Sequence, residues 1–249
     1  MILKFNVMEK QSERMEHMGM TTGRVTRVEA VSPTMKRIVW VSDLERGWNP
    51  GDKIKVLVSA SEGVMRSYTP SRVDTATGEM ELLAHIHGGG PGSDWADGLR
   101  AGDVFSFKGP VRSFPVDREA PVSWAMFFGD ETMLGLLEAL KTSGITDQVI
   151  GAVELEPGAM GVLEPVGSGV REVTRQMERG EAIIAYAREV EIPDDEGVFW
   201  LSGEADSVVA IRKILLERGV ARSRMHIKTY WSTRSKARRK QLDLQMSLT

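Results

Sequence analysis

The stretch Arg66-Ser67-Tyr68-Thr69 places an arginine, an aromatic ring and a hydroxyl group within one short extended segment. On a β-strand, alternate side chains face opposite sides, so Arg66 and Tyr68 share a face and Thr69 follows at its end. The arginine fork suits a phosphate, the tyrosine ring suits a flavin ring, and the threonine suits the polar edge of that ring. The same residues also fit an ordinary strand with a solvated arginine, so the surrounding sequence decides between the two interpretations.

The sequence around this stretch predicts a small antiparallel β-barrel. Between residues 21 and 108, short β-rich segments alternate with Gly, Pro, Asn and Asp, the usual turn residues. The six predicted strands are residues 24–30, 36–41, 53–59, 65–69, 79–86 and 104–107, with a helical piece at 93–99. Strands at this spacing favour a barrel without open edges. We assign the barrel to residues 21–116, after a lead-in of residues 1–20 for which disorder is the default expectation.

From residue 122 onward the sequence changes to alternating strand and helix patterns. The predicted strands are residues 123–128, 148–155, 198–202 and 225–231, the predicted helices are 131–142, 182–188 and 206–218, and 170–174 fits a further strand. This alternation is typical of a doubly wound parallel sheet, which we assign to residues 122–231. The predicted fold is therefore a two-domain α/β protein, with an antiparallel barrel, a parallel-sheet domain and a basic C-terminal segment at residues 232–249.

The composition limits the chemistry that is open to this chain. Its 249 residues include no cysteine, which excludes disulfides, cysteine-bound zinc and cysteine-held iron–sulfur clusters. Any redox chemistry therefore uses a bound organic cofactor. A formal net charge of −3 gives no argument for nucleic-acid binding, and no apolar run approaches the length of a membrane span. Residues 1–20 lack the apolar core of a secretory signal, so we expect a cytoplasmic protein.

A second feature is the segment from His87 to Trp95, which contains four glycines. A glycine cluster lets backbone amides approach a ligand, and a helix starting at Ser93 would direct unpaired N–H groups at a pyrophosphate. The segment matches neither a Walker loop nor a Rossmann fingerprint. The alternative is a flexible hairpin in which Ser93 or Asp94 caps an ordinary helix. His85 and His87 share a strand face, but a metal site needs further ligands, so we expect His87 to donate to a phosphate or to cap the turn.

Two further motifs end predicted strands of the second half. Gly129-Asp130-Glu131-Thr132 follows the first of these strands, and Ser202-Gly203-Glu204 ends a later one. Doubly wound folds bind ligands at the carboxyl ends of their strands, so the two motifs would frame a nicotinamide crevice. Asp130 also fits an ordinary helix cap. Glu154, near the end of the next strand, would accept hydrogen bonds from a ribose diol and favour NADH, although a solvated glutamate has the same sequence signature.

Taken in order, these motifs resemble the siderophore-interacting protein family of flavin-dependent ferric-siderophore reductases, which is related to the ferredoxin–NADP reductase superfamily. The likeness runs from about residue 21 to 231 and rests on several motifs in family order, which is more specific than any one of them. The motifs are Arg66-Ser-Tyr68-Thr69-Pro-Ser-Arg72, His87-Gly-Gly-Gly-Pro91-Gly-Ser93-Asp-Trp95-Ala96, Gly109-Pro110, Gly129-Asp-Glu-Thr132, Ser202-Gly203-Glu204 and Tyr230-Trp231.

The resemblance implies an FAD held by the barrel and a reduced nicotinamide cofactor, NADH or NADPH, bound by the second domain. It assigns FAD binding to Arg66, Ser67, Tyr68, Thr69, His87, Gly92, Ser93 and Trp95, and nicotinamide contacts to Asp130, Glu131, Thr132, Gly203 and Glu204. The implied activity is the reduction of a ferric siderophore, which releases iron because oxygen donors hold Fe(II) less firmly than Fe(III). Flavin suits this step because it accepts two electrons together and can return them singly.

A basic rim beside the flavin would steer and hold a ferric siderophore, which is often anionic and too large to be enclosed. The substrate-binding candidates are Lys55, which precedes the flavin motif (residues 66–69), and Arg238 and Arg239 in the C-terminal segment. For the two arginines a solvated basic run is the alternative. Family members commonly carry glycine shortly after the Tyr-Trp pair, whereas this chain continues with Ser232 and Thr233, which puts the shape of that segment in doubt. Two other functions stay open: a flavin reductase-type oxidoreductase with another acceptor, and a non-catalytic binding module of the same fold.

Overall fold

The computed structural model describes residues 19–43, 47–114, 121–146, 148–163 and 169–232. Their contacts divide them into two compact units, residues 19–114 with 134–143, and residues 121–133 with 144–232. The predicted fold class, a barrel-like antiparallel unit and a parallel sheet with helices, is confirmed. Residues 134–143 group with the first unit, whereas the sequence assigned them to the second. None of the helices within the described ranges combines the length and the apolar character that a bilayer span requires.

The first unit contains seven antiparallel strands rather than the predicted six. They are β1 (Thr21–Ser32), β2 (Met35–Val41), β3 (Lys53–Ser59), β4 (Val64–Tyr68), β5 (Arg72–Asp74), β6 (Glu79–His85) and β7 (Val104–Val111), in the order β4-β3-β7-β1-β2-β6-β5. The prediction omitted β5, because a strand of three residues is too short to show an alternating pattern. Among the described residues no ladder joins the edge strands β4 and β5, so the sheet is barrel-like and its two edges are not hydrogen-bonded to each other.

Alternating apolar residues build the core of the first unit. Trp40 lies at its centre, fully buried, and the rings of Phe105 and Phe107 meet it edge-on with centroids 5.5 and 6.2 Å away. Among its described residues, this unit has the helices α1 (Pro91–Gly98) and α2 (Leu134–Lys141). Because α1 contributes Ala96 to the core, packing fixes the position of the glycine-rich loop that precedes it.

The second unit is a five-stranded parallel sheet in the order β10-β9-β8-β11-β12. Its elements are β8 (Trp124–Asp130), β9 (Val149–Leu155), β10 (Val170–Thr174), α3 (Glu181–Glu189), β11 (Gly197–Glu204), α4 (Ala205–Glu217) and β12 (Met225–Trp231). The central strand β8 is buried along its whole length, as expected for a parallel strand covered on both faces. The strand order reverses between β8 and β11, and the carboxyl ends of such a pair form the ligand crevice of doubly wound sheets.

Candidate functional site

Arg66 and Tyr68 lie on one face of β4, as the alternation predicts. They stand directly across from Val56 and Ile54 of β3, which are both fully buried in the core. Burial raises the pKa of the Tyr68 phenol, against a smaller opposite effect of the Arg66 charge. The phenol therefore stays neutral and can act as a hydrogen-bond donor on this face.

Ser67 and Lys55 lie on the opposite face. They stand across from each other in the β3–β4 ladder, and both are exposed. The side chain of Ser67 therefore does not join the group that the resemblance assigned to FAD. Lys55 also stands across from Lys108 of β7, and its role in substrate binding stays a prediction. Arg238 and Arg239 lie outside the described residues.

The start of α1 packs against the Tyr68 face of β4. The Tyr68 hydroxyl donates a hydrogen bond to the Gly92 carbonyl at 3.1 Å, and its ring centroid lies 5.4 Å from that of Trp95. A Cβ on Gly92 would lie 2.9 Å from Tyr68 Oη and 3.2 Å from Arg66 Cγ, so glycine is what permits this close approach. The structure thus brings Arg66 and Tyr68 together with Gly92 and Trp95, two pairs that lie far apart in sequence but were assigned to the same ligand.

Ser93 closes the glycine-rich loop instead of capping α1. Its hydroxyl oxygen accepts hydrogen bonds from the backbone N–H groups of His87 and Gly88, each at 3.1 Å. The helix follows Gly90 without any side-chain cap, so no side chain occupies the N–H groups of its first turn. Gly88 and Gly89 have φ values of 68° and 62°, and a Cβ on either would meet nothing within 4 Å. The loop backbone is therefore open to a ligand.

Thr69 is 7% exposed at the end of β4. Its carbonyl oxygen faces α2, where a Cβ on Gly135 would lie 2.7 Å away, so the packing of α2 fixes this end of the flavin motif. The uncapped start of α1 and the Arg66 guanidinium suit phosphate groups, and the adjacent rings of Tyr68 and Trp95 suit a flat aromatic group. These residues fit a ligand that carries both, as FAD does.

In the second unit, Asp130 connects the carboxyl ends of three strands. Its Oδ1 accepts hydrogen bonds from the backbone N–H and the hydroxyl group of Thr132, at 2.9 and 2.5 Å. Its Oδ2 accepts from the Glu204 N–H on β11 at 3.0 Å and from Trp231 Nε1 on β12 at 3.1 Å. Burial raises the pKa of Asp130, and the hydrogen bonds from Thr132 oppose this effect. The predicted residues Asp130, Thr132 and Glu204 thus meet, together with Trp231.

Gly203 is needed beside Asp130 for two reasons. Its φ of +113° is rarely adopted by residues with a side chain, and its own Cβ would lie 2.6 Å from Asp130 Oδ2. The next residue along β11, Glu204, donates its N–H to the same Asp130 oxygen. The glycine in the Ser-Gly-Glu motif therefore lets two strand ends approach each other.

Glu204 and Glu154 each fill the N-terminus of a helix. Glu204 Oε2 accepts hydrogen bonds from the N–H groups of Asp206 and Ser207 in the first turn of α4, at 2.6 and 2.9 Å. Glu154 accepts from Gly180 N at 2.7 Å and from Ile183 N at 3.2 Å, at the start of α3, and is 1% exposed. This removes the basis for the interpretation of Glu154 as a ribose ligand, because its carboxylate is buried against a helix.

Glu131 is fully buried and lies within an ion-pair network rather than on the surface of a crevice. Its Oε1 pairs with Arg175 and accepts a hydrogen bond from the Glu156 N–H at 2.7 Å, and its Oε2 lies 3.5 Å from Arg179 Nη1. Arg175 is also 3.6 Å from carboxylate oxygens of both Glu154 and Glu156. The expected nicotinamide contact by the Glu131 side chain is therefore unsupported, since ion pairing inside the unit holds it.

A small cleft lies between the carboxyl ends of the strands and the N-termini of α3 and α4, which Glu154 and Glu204 cap. Its described lining is Gly129, Asp130, Glu154, Arg179, Gly180, Ile183, Ser202, Glu204, Ser207, Val208 and Ile211. The Arg179 guanidinium lies 4.7 Å from the ring centroid of Trp231. Arg179 was not among the residues predicted from the sequence, where its signal is a basic residue just before α3, on the segment that leaves a strand end.

Comparisons with solved structures identify the fold. The chain is similar to the siderophore-interacting protein from Acinetobacter baumannii, with a TM-score of 0.71 and 17% identity, covering 91% of this chain and 99% of that chain. It is also similar to the siderophore-interacting protein SipS from Aeromonas hydrophila, with a TM-score of 0.71, 23% identity and coverages of 90% and 98%. A FAD/NAD-binding domain of nitric oxide dioxygenase from Vibrio cholerae matches with a TM-score of 0.63, 18% identity and coverages of 85% and 98%. The fold is therefore that of ferredoxin reductase-like proteins.

The family follows from sequence. The family described as "Siderophore-interacting protein" matches residues 122–234, and the "Siderophore-interacting FAD-binding domain" matches residues 40–114. Together the two matches cover more than half of the chain, and the protein belongs to the siderophore-interacting protein family, with FAD as the cofactor of its first unit. Comparison with curated protein sequences gave no match.

Proposed function

We propose that this protein uses NADH or NADPH to reduce ferric siderophores or similar iron chelates through FAD. The observation that carries the proposal is the hydrogen bond between Tyr68 and Gly92. It places the N-terminus of α1, whose N–H groups suit phosphate, beside the rings of Tyr68 and Trp95. Both features lie in the unit that matches the FAD-binding domain of the family. FAD, when bound, supplies the conversion between a two-electron reductant and a one-electron acceptor.

Different residues of the first unit would bind different parts of this cofactor. Arg66 and the first turn of α1 offer a fixed charge and backbone N–H groups to phosphate oxygens. The ring of Tyr68, whose phenol is neutral, and the ring of Trp95 would offer an apolar surface to the flavin ring. Ser93 holds the loop closed through its own hydrogen bonds, so these groups are positioned before the ligand binds.

An anionic chelate needs cations on an accessible surface. Lys55 is exposed and directly opposite Lys108, and two like charges across an antiparallel ladder destabilise the sheet unless an anion offsets them. This cross-strand pair supports the proposal of Lys55 as a substrate-binding residue. It would steer an anionic ferric complex to the outer face of β3 and β7.

The proposal is tested by absorbance spectroscopy of the purified protein under anaerobic conditions. We expect a flavin spectrum that NADH or NADPH bleaches and that a ferric siderophore restores, with Fe(II) captured by a ferrous-specific chelator. A protein that no FAD turns yellow would contradict the whole proposal. Bleaching without reoxidation by ferric chelates, but with rapid reoxidation by quinones or free flavin, would instead support a reductase with another acceptor.

A paired substitution tests the substrate surface. Replacing Lys55 and Lys108 with alanine is expected to raise the KM for an anionic ferric chelate several-fold at low salt, with little change for a neutral acceptor. Lys213→Ala is the matched control, because that lysine is an exposed helix residue paired with Glu217. Equal effects on both acceptors would argue against a local role for these lysines.

A further inference from the structure

Helix α2 belongs to the first unit, although its chain neighbours on both sides are the strands β8 and β9 of the second unit. Contacts with Thr69 and Arg37 connect it to the rest of the first unit. Its Gly135 lies close behind the carbonyl oxygen of Thr69, where a Cβ would come within 2.7 Å. Three residues later, Glu138 forms an ion pair with Arg37 of β2 at 3.3 Å. The contacts that hold α2 in place therefore also fix the end of the flavin motif.

The guanidinium of Arg37 is shared by two carboxylates. Its Nη1 pairs with Glu81 Oε1 on β6 and lies 3.3 and 3.5 Å from the two carboxylate oxygens of Glu138. The three side chains are between 9% and 20% exposed, so water screens their charges only in part. Without the guanidinium between them, the carboxylates of Glu81 and Glu138 would repel each other and push α2 away from β6. Arg37 is therefore the group that keeps α2 against the sheet.

Glu81 also connects this ion pair to the segment that follows the flavin motif. The same oxygen that pairs with Arg37, Oε1, accepts a hydrogen bond from the Ser71 hydroxyl at 3.3 Å. The Glu81 carbonyl accepts a hydrogen bond from the Ser71 N–H at 2.7 Å, and Ser71 is 1% exposed. Only Pro70 separates Ser71 from Thr69. Thr69 is therefore held from two sides, by α2 behind its carbonyl and by Ser71 farther along the chain.

We propose that Arg37 is a positioning residue for the flavin, acting through Glu138 and Glu81 on Thr69. The inference rests on the proposed function, in that it concerns how the redox-active FAD is held, with Thr69 at the polar edge of its ring as predicted from the sequence. Reduction adds a proton to that edge, so hydrogen-bonding groups beside it affect the oxidised and the reduced cofactor unequally. Displacing Thr69 should therefore change the reduction potential of the bound flavin as well as its affinity.

Two substitutions remove different parts of this network. Glu138→Ala deletes the anchor of α2 and leaves the pair between Arg37 and Glu81 intact, and alanine suits a helix, so this variant should fold. Arg37→Met keeps an apolar stem and removes the charge that both carboxylates share. Glu29→Ala is the matched control, because it removes an exposed glutamate of the same unit that pairs with Arg27 at 3.1 Å.

The test measures the affinity and the midpoint potential of the bound flavin. Flavin fluorescence gives the dissociation constant for FAD, and equilibration with a reference dye at saturating FAD gives the potential. We expect the dissociation constant to rise roughly threefold in Glu138→Ala, the size expected for a partly exposed ion pair, and more in Arg37→Met. A threefold difference between the effects on oxidised and reduced FAD shifts the two-electron potential by about 14 mV. Glu29→Ala should keep both wild-type values.

Amide hydrogen exchange of the full chain without FAD supplies a second readout, which does not depend on the flavin. The Ser71 N–H, which is bonded to the Glu81 carbonyl, should exchange faster in Arg37→Met than in wild type or in Glu29→Ala. If Arg37→Met does not fold, Glu138→Ala and Ser71→Ala decide. Ser71→Ala deletes the hydroxyl bond to Glu81 and keeps the backbone bond.

The outcomes separate this inference from the function on which it rests. A midpoint potential that stays at the wild-type value in both Glu138→Ala and Arg37→Met would overturn the inference, and any loss of stability would then show a structural role only. These measurements use neither a nicotinamide cofactor nor iron. A protein that NADH and NADPH fail to reduce would therefore refute the proposed function and leave this inference standing, whereas a protein that binds no FAD would overturn both.

Discussion

Replacing Gly92 with alanine tests the contact that sets Tyr68 against α1. Gly92 stands in the first turn of the helix and does not have a positive φ, so alanine fits its backbone conformation. The added Cβ would lie 2.9 Å from Tyr68 Oη and 3.2 Å from Arg66 Cγ. The first distance is shorter than real contacts of this kind, so the phenol has to move, and the arginine stem moves with it.

The expected magnitude comes from two opposing effects. Alanine stabilises a helix by up to about 1 kcal/mol relative to glycine. A displaced Tyr68 loses its hydrogen bond to the Gly92 carbonyl, now 3.1 Å long, and such a bond contributes about 0.5–1.5 kcal/mol. We therefore expect the free energy of unfolding of the FAD-free protein to change little. The dissociation constant for FAD should rise roughly twofold to tenfold, because the displaced groups are those proposed to bind the cofactor.

Gly98→Ala provides the control within the same helix. Gly98 is the last residue of α1, and a Cβ there would meet nothing within 4 Å. This variant should keep the wild-type affinity for FAD. The assay is titration of FAD into the apoprotein, followed by the quenching of flavin fluorescence, with urea unfolding in parallel. If the two variants bind FAD equally well, the Tyr68–Gly92 contact does not form the cofactor site.

Three further substitutions test other contacts. Arg66→Ala should weaken FAD binding by about 2 kcal/mol, or roughly 30-fold, because the proposed charged partner of the phosphates is lost. Flavin content after dialysis measures this, and Arg27→Ala, at an exposed position of β1, should retain its flavin. Gly203→Ala should destabilise the protein by about 2 kcal/mol or more, and a urea midpoint no lower than that of Gly219→Ala, which shares a positive φ but meets nothing within 4 Å, would refute the predicted clash with Asp130. Asp130→Asn should change the pH dependence of stability: burial raises the pKa of the folded carboxyl, so its contribution is fully present below about pH 3.9, the unfolded value, and is lost as pH rises through the folded pKa. Urea unfolding at pH 4 and 7 checks that the stability of wild type relative to this variant declines, and a constant difference would contradict the raised pKa.

Most of the fold could be predicted from sequence because its strands are either alternating or continuously apolar. β3 alternates Ile54 and Val56 with exposed or half-buried neighbours, and β8 is apolar from Trp124 to Phe128. The helical pattern of α2 was equally visible, but its apolar residues are buried around much of its circumference. Such a pattern predicts a helix without saying which unit's core receives it, so the assignment of residues 134–143 required the structure.

The candidate sites were predictable where their residues are close together in sequence, and unpredictable where the interacting residues are far apart in sequence. The flavin motif and the glycine-rich loop are short segments whose spacing carries their geometry. A glutamate at a strand end has the same signature whether it faces a ligand or a helix. Glu154 accepts its hydrogen bond from a residue 26 positions away, and Glu131 pairs with an arginine 44 positions away. No local pattern in the sequence reports such long-range partners.

The uncapped start of α1 has a consequence for how the protein matures. Glu154 and Glu204 place a carboxylate at the N-termini of α3 and α4. The N–H groups at these two helix starts therefore have a negatively charged partner from the same chain once the second unit has folded. The eight-residue helix α1 has no side-chain hydrogen bond at its cap, and the one acidic residue in its first turn, Asp94, is exposed. An anion bound at this start would stabilise the folded first unit, so we expect flavin loading and the stability of that unit to be coupled.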